Sequence, residues 1–427
     1  MALASPLAAN PPSVPGVDAP ELAALGSDAV GYRTLNFVHR QQPDFQAGEL
    51  TSAPVPLKDR TLVVSLWYPA AATDAPRATY KASFWGEPPK PPVAYTVPGL
   101  AGRDAPAVGS NRPLVIVSHG YSNAPAAMSW LTENLASKGY VVAAIHHEDP
   151  NPYVISADKR AAPNYHRPQD IAFVAAALKA SLGAQIDPDR IALIGFSQGG
   201  YGVITAGGAS LDPDGPNMSL VAGGYLRRIA RGAAKAADIR VPGVKAIVAL
   251  APAGGGPVGA WGAAGLAEIS APLLLIAGEF DATVGYNRAA KAFFEGAVNS
   301  ERTLLTFKQA GHAIGLNPAP PEMRGGLWDL DWFADPVWRT DRVNAINLHF
   351  ITAFLDVHLR GKMERRSYLQ VPVERANDGT WDAPAGTPWQ AYSPGGPGVS
   401  LWKGFQRGHA RGLELRHLQP GESDRHE

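Results

Sequence analysis

The chain has 427 residues, 45% of them hydrophobic, so it is long enough and apolar enough to bury a large core. Lys plus Arg and Asp plus Glu each total 38, and this even charge argues against a nucleic-acid binder, which shows a basic excess. Cysteine is absent, which removes disulfides, thiolate-bound zinc and a cysteine nucleophile together; no run approaches the ~18 apolar residues of a membrane span.

Residues 1–30 are rich in Ala and Pro, hold no Lys or Arg, and read as a flexible N-terminal segment. An A-x-A-like ending near Ala9 also fits the tail of an export signal, so the compartment, cytoplasmic or exported, stays open. Residues 31–361 read as one domain. It opens on antiparallel strands, clearest at 61–69, β-branched and aromatic and stopped by Pro69. Residues 70–112 read as a Pro- and Ala-rich loop carrying Tyr80, Phe84, Trp85 and Tyr95, part of which is expected to border a site.

An alternation follows: strand 113–118, helix 128–137, strand 141–145, helix 168–182, strand 191–194. This rhythm specifies an α/β fold, a mostly parallel central sheet flanked by helices on both faces. Residues 207–241 form an insertion with a basic helical piece at 225–237, read either as a small cap over the site or as a surface excursion. The sequon at Asn217 is read as a chance match. Strands at 244–250, 272–277 and 303–307 extend the sheet. A Pro/Trp-rich loop carries Trp328, Trp332, Phe333 and Trp338. An amphipathic helix at 341–359 then presents Val343, Ile346, Phe350, Phe354 and Val357 on one face, with Gly361 as its stop. Residues 362–427 read as a largely irregular C-terminal extension, with short strands suggested at 368–371 and 413–415.

The chemistry centres on Gly195-Phe196-Ser197-Gln198-Gly199, which matches G-x-S-x-G where an apolar strand meets a small-residue helix. In that turn the serine is exposed at a sharp bend, and it needs a base oriented by an acid, in the chain order Ser, acid, His. Asp281 lies in the loop after strand 272–277, with Glu279 as the rival acid, and His312 follows strand 303–307. The Gln198 and Tyr121 backbone N–H groups are the expected oxyanion donors, with Gly120 letting the chain turn inward. His147 ends a strand on the same rim, so it joins Trp328 and Trp332 as candidate substrate-pocket residues. His146 and His147 beside Glu148 and Asp149 invite a metal reading, but adjacent strand residues point opposite ways, and no metal site is expected.

His119-Gly120, the stretch 191–200, Gly278 to Asp281 and Gly311-His312 resemble the landmarks of α/β-hydrolases over residues 58–361. Leu66-Trp-Tyr-Pro69, Val117-Ser-His-Gly120, His147-Glu-Asp149 and Arg167 to Asp170 are similar to the dienelactone-hydrolase-like and plasma-type platelet-activating-factor acetylhydrolase group. Dienelactone hydrolases proper use cysteine, and this departure favours ordinary ester cleavage. The resemblance implies the α/β-hydrolase fold and a serine carboxylic-ester hydrolase with an acyl-enzyme intermediate and no cofactor. Neutral, short- to medium-chain small-molecule esters are the expected substrates. A serine peptidase or amidase would use the same three residues. A non-catalytic binding protein of the same fold is the reading from another class, and three intact positions argue against it.

Overall fold

Alternation along the central strands builds two cores, one on each side of a single sheet. The computed structural model describes residues 16, 18–47, 55–72, 74–153 and 155–423. In β5 (Arg112–Ser118), Val115 and Val117 face one core while Leu114 and Ile116 face the other. In β7 (Ile186–Phe196), Ala192 and Ile194 likewise oppose Ile191 and Leu193. A strand buried on both faces reads as a continuous apolar run, as these do.

The remaining strands are β1 (Ala29–Pro43), β2 (Leu57–Ala70), β3 (Arg77–Phe84), β4 (Val93–Arg103), β6 (Val141–His146), β8 (Val244–Leu250), β9 (Leu273–Gly278), β10 (Arg302–Phe307) and β11 (Leu413–Leu418). Among the described residues they form one sheet in the order β11-β10-β9-β8-β7-β5-β6-β2-β1-β4-β3. From β10 to β6 every neighbour is parallel, and β2 joins β6 antiparallel. The helices are α1 (Ser129–Ser137), α2 (Ala157–Arg160), α3 (Ala162–Leu182), α4 (Gln198–Ala206), α5 (Gly262–Leu266), α6 (Ala292–Gly296), α7 (Leu327–Phe333) and α8 (Thr340–Arg360). Residues of α1 and α8 belong to the first core, and residues of α3, α4 and α6 to the second. The sheet is thus covered on both faces, as expected.

Five expectations differ from what is observed. Residues 70–112 are not mainly loop, because β3 and β4 pair there as an antiparallel hairpin. Ala78, Tyr80 and Phe84 are buried on one side while Thr79, Lys81 and Ser83 are exposed, a period of two that the surrounding prolines disguise. The expectation of a flexible segment at 1–30 lies outside the described residues for 1–15 and 17. Of the rest, Leu22 and Ala23 are buried, and the Leu22 N–H donates to His349 Nδ1 of α8. Helix α3 starts six residues before Pro168, where the sequence predicts its opening. Proline removes the N–H that would bond the Asn164 carbonyl, and the Tyr201 hydroxyl donates to that oxygen instead at 2.8 Å.

The fourth is the tail. The extension 362–427 carries β11, paired antiparallel with β10, and its Trp402 and Phe405 enter the first core; residues 368–371 are not a strand. The basic piece at 225–237 is not a regular helix either. A 3-10 segment, Ala222–Arg228, leads into turns, and Tyr225 and Leu226 bury against the second core.

Candidate active site

The bend between β7 and α4 is shaped by its glycines. Ser197 sits at φ 54° and ψ −115°, a left-handed conformation that side chains other than glycine seldom adopt. A Cβ on Gly199 would stand 1.9 Å from the Ser118 carbonyl oxygen, and one on Gly195 would stand 2.2 Å from that of Gly199. Both obstacles are backbone, which cannot rotate away. Gly199→Ala should therefore destabilise by at least the ~3 kcal/mol at the top of the usual overpacking range. A thermal melt checks this, and a melting temperature equal to the parent's would show that the turn relaxes freely.

Ser197, His312 and Asp281, separate in sequence, are brought together as one hydrogen-bonded chain. His312 Nε2 lies 3.0 Å from Ser197 Oγ, and His312 Nδ1 lies 2.7 Å from Asp281 Oδ2. An ionised carboxylate only accepts, so Nδ1 carries the imidazole proton and Nε2 is free to accept from the serine. Asp281 is positioned by its other oxygen, which accepts the Thr283 and Val284 N–H groups at 2.9 and 3.0 Å. Burial pushes the Asp281 carboxyl up, but the His312 bond and charge and these two N–H groups outweigh it, and the net shift is downward. Glu279 points elsewhere: Lys308 Nζ is 2.5 Å away, and the Gln309 N–H donates to Glu279 at 3.1 Å.

Gln198 opens α4, and Gly120-Tyr121 forms the facing loop after β5. Among the described residues, neither the Gln198 nor the Tyr121 N–H donates to a protein acceptor. Both are therefore available to a ligand, as an oxyanion site requires. The Gln198 side chain turns away and donates to Asn164 Oδ1 at 2.9 Å.

Ser197 and His312 open into a cavity of about 230 Å³. Its walls are largely aromatic, with Phe84, Trp85, Tyr121, Tyr153, Phe196 and Trp332, and Arg160 stands at its rim. Trp332, a pocket candidate from the sequence, forms one of these walls. Trp328 is one ring further back, packing on Trp332 and Tyr153 at centroid distances of 6.0 and 5.4 Å. Phe333 is buried against Phe84 and Tyr95, and the Trp338 indole donates to the Lys308 carbonyl.

His147 does not reach the cavity. Its Nε2 faces Ser118 Oγ and its Nδ1 faces Asp170 Oδ2, each at 3.0 Å, beneath the loop that carries Tyr121. His146 turns to Ser65 Oγ instead. Among the described residues, no three His, Asp or Glu side chains gather as metal ligands, and no described residue of 207–241 lines the cavity. Phe84 and Trp85 were signalled as aromatics in a stretch expected to border the site. Tyr153 and Arg160 carried no sequence signal, since their place depends on how the segment after β6 folds back.

Residues 106–212, which run from the approach to β5 through the elbow helix, match the family described as PETase, PET hydrolase-like. A search of curated proteins finds no match. Among solved structures, a ferulic acid esterase from Streptomyces cinnamoneus superposes with a TM-score of 0.50 at 21% identity, over 81% of this chain and 94% of that one. The latter is a likeness of fold. With the parallel sheet and the elbow it carries, the chain has the α/β-hydrolase fold, and the family match over the elbow region supports a carboxylic-ester hydrolase.

Proposed function

We propose that Ser197 is the nucleophile of a serine esterase, His312 its base and Asp281 the acid that orients His312. Ser197 Oγ attacks the ester carbonyl while His312 Nε2 takes its proton and then gives it to the leaving alcohol. The tetrahedral oxygen is held by the Gln198 and Tyr121 N–H groups, and water releases the acyl group by the same route in reverse. The observation that carries this reading is the continuous Ser197–His312–Asp281 hydrogen-bond chain at the foot of an open cavity.

The aromatic walls support neutral esters of short to medium acyl length, or with a flat aromatic acyl group, as substrates. Such walls give apolar contact without a fixed charge, worth about 25 cal/mol per Å² removed from water. The guanidinium at the rim, Arg160, is solvent-exposed, and a solvated charge adds less than ~1 kcal/mol for an anionic ester. The named substrate of the structural neighbour, an ester of an aromatic acid, agrees in kind.

Matched neutral esters, anionic esters and anilides, with acyl groups graded from acetyl to benzoyl, test the proposal. Ester turnover should exceed anilide turnover by orders of magnitude, because the amine is the poorer leaving group. Faster anilide cleavage, or a strict need for substrate charge, would overturn it. Trp332→Ala checks the pocket: losing part of one indole wall, about 1–2 kcal/mol, should raise KM on the order of tenfold and leave kcat within a few-fold. An unchanged KM for the benzoyl ester would move the acyl group elsewhere.

A further inference from the structure

Beneath the loop that carries Tyr121 lies a buried guanidinium with no part in the triad. We propose that Arg167 is a positioning residue that sets the oxyanion hole by gripping the carbonyl side of that loop. The inference rests on the reading of Tyr121 as an oxyanion donor.

Arg167, on α3, has no solvent exposure. Its Nη1 donates to Ser118 Oγ at 3.0 Å and to the His119 carbonyl at 2.5 Å. Its Nη2 donates to the Gly120 carbonyl at 3.0 Å. Nε and Nη2 pair with Asp149, whose Oδ2 also accepts the Ser122 N–H at 2.8 Å. One side chain and its counter-ion therefore hold four of the five residues from Ser118 to Ser122, all but Tyr121.

A peptide unit is planar and trans, so its C=O and N–H point in opposite directions. The Gly120 carbonyl and the Tyr121 N–H belong to one such unit. Fixing the carbonyl toward Arg167 obliges the Tyr121 N–H to point away from it, toward the cavity. The carbonyl has two further donors, and the Asn123 N–H is one of them, at 3.3 Å. His119 Nε2 accepts the His147 N–H at 3.2 Å, so the proton of the neutral ring is on Nδ1, which donates to the same Gly120 oxygen at 2.7 Å. Gly120 itself abuts the nucleophile: a Cβ there would lie 3.0 Å from the Phe196 ring and 3.6 Å from Ser197 Cβ. The clamp bonds the Ser122 N–H and leaves the Tyr121 N–H unbonded. Lysine cannot replace this fork, because its single ammonium cannot span three oxygens and a carboxylate in one plane.

Arg167→Lys and Arg167→Met are compared with Arg60→Lys. Arg60 is the neighbouring buried arginine, which bonds Asp170 and touches no carbonyl of the loop. The probes are a trifluoromethyl ketone that forms a hemiketal with the serine, and the corresponding alcohol, which cannot. If the clamp sets the hole, both Arg167 variants lower kcat by about 10²–10³, the usual loss for one oxyanion donor, with KM within a few-fold. Hemiketal affinity falls in parallel, while alcohol binding is unchanged. Arg60→Lys lowers the melting temperature without that signature. Equal losses for ketone and alcohol, kcat loss shared by Arg60→Lys, or an Arg167→Lys variant with parental kcat would each overturn the inference. The underlying reading fails separately, by ester turnover that survives Ser197→Ala.

Discussion

Ser197→Ala should lower kcat by on the order of 10⁶, the loss seen when a serine nucleophile acts as one unit with its base. Covalent labelling by a serine-directed phosphonate should vanish with it. The substitution keeps the Cβ and the same backbone strain at φ 54°, so the fold and its melting temperature should stay near the parent's. Mapping the adduct is the sharper measurement, because the protein contains a second Ser–His–Asp chain with the same connectivity. Ser118, His147 and Asp170 are linked at 3.0 and 3.0 Å, against 3.0 and 2.7 Å in the proposed triad. Two facts decide between them. Ser118 is wholly buried, and its oxygen already accepts an Arg167 N–H, whereas Ser197 stands at the bend and lines the cavity. A phosphonate adduct on Ser118 would reassign the nucleophile.

The features that could be read from sequence are those with a local cause. Ile191 to Ile194 followed by spaced glycines predicts both the strand and its bend, because the steric demand of Gly195 and Gly199 is made within a few residues. Asp281 and His312 could be proposed because each follows its own apolar strand, and the parallel sheet carries all such strand ends to one edge. What could not be read depends on distant partners. The Arg167 clamp joins residues 47 to 49 positions away, and each of them looks ordinary in isolation. His147 ends a strand beside the site, yet its side chain falls beneath the loop, a distinction that sequence position does not carry. The hairpin β3–β4 was hidden by composition, since proline and alanine dominate the stretch while the alternating residues that make it a strand pair are few.

The choice between the two acids gives the last expectation. Asp281→Asn should reduce kcat by about 10⁴, by analogy with the serine-protease triad, while Glu279→Gln should change it by less than about tenfold. An asparagine at 281 keeps the shape, and its oxygen can still accept the Thr283 and Val284 N–H groups. The atom facing His312 Nδ1 then becomes an amide donor, which favours the tautomer with its proton on Nε2 and removes the acceptor Ser197 needs. Glu279 has no such link, being engaged by Lys308 and the Gln309 N–H at the side of the loop. Stability adds an independent reading. Because the folded Asp281 carboxyl titrates below its unfolded value, its ionised form contributes stability above that unfolded value, about 3.9, and the contribution is lost as pH falls through the folded value. The stability gap between parent and Asp281→Asn should therefore be widest near neutral pH and narrow below about pH 4. If Glu279→Gln proves the crippling change, or the gap widens on acidification, Asp281 is not the acid that orients His312.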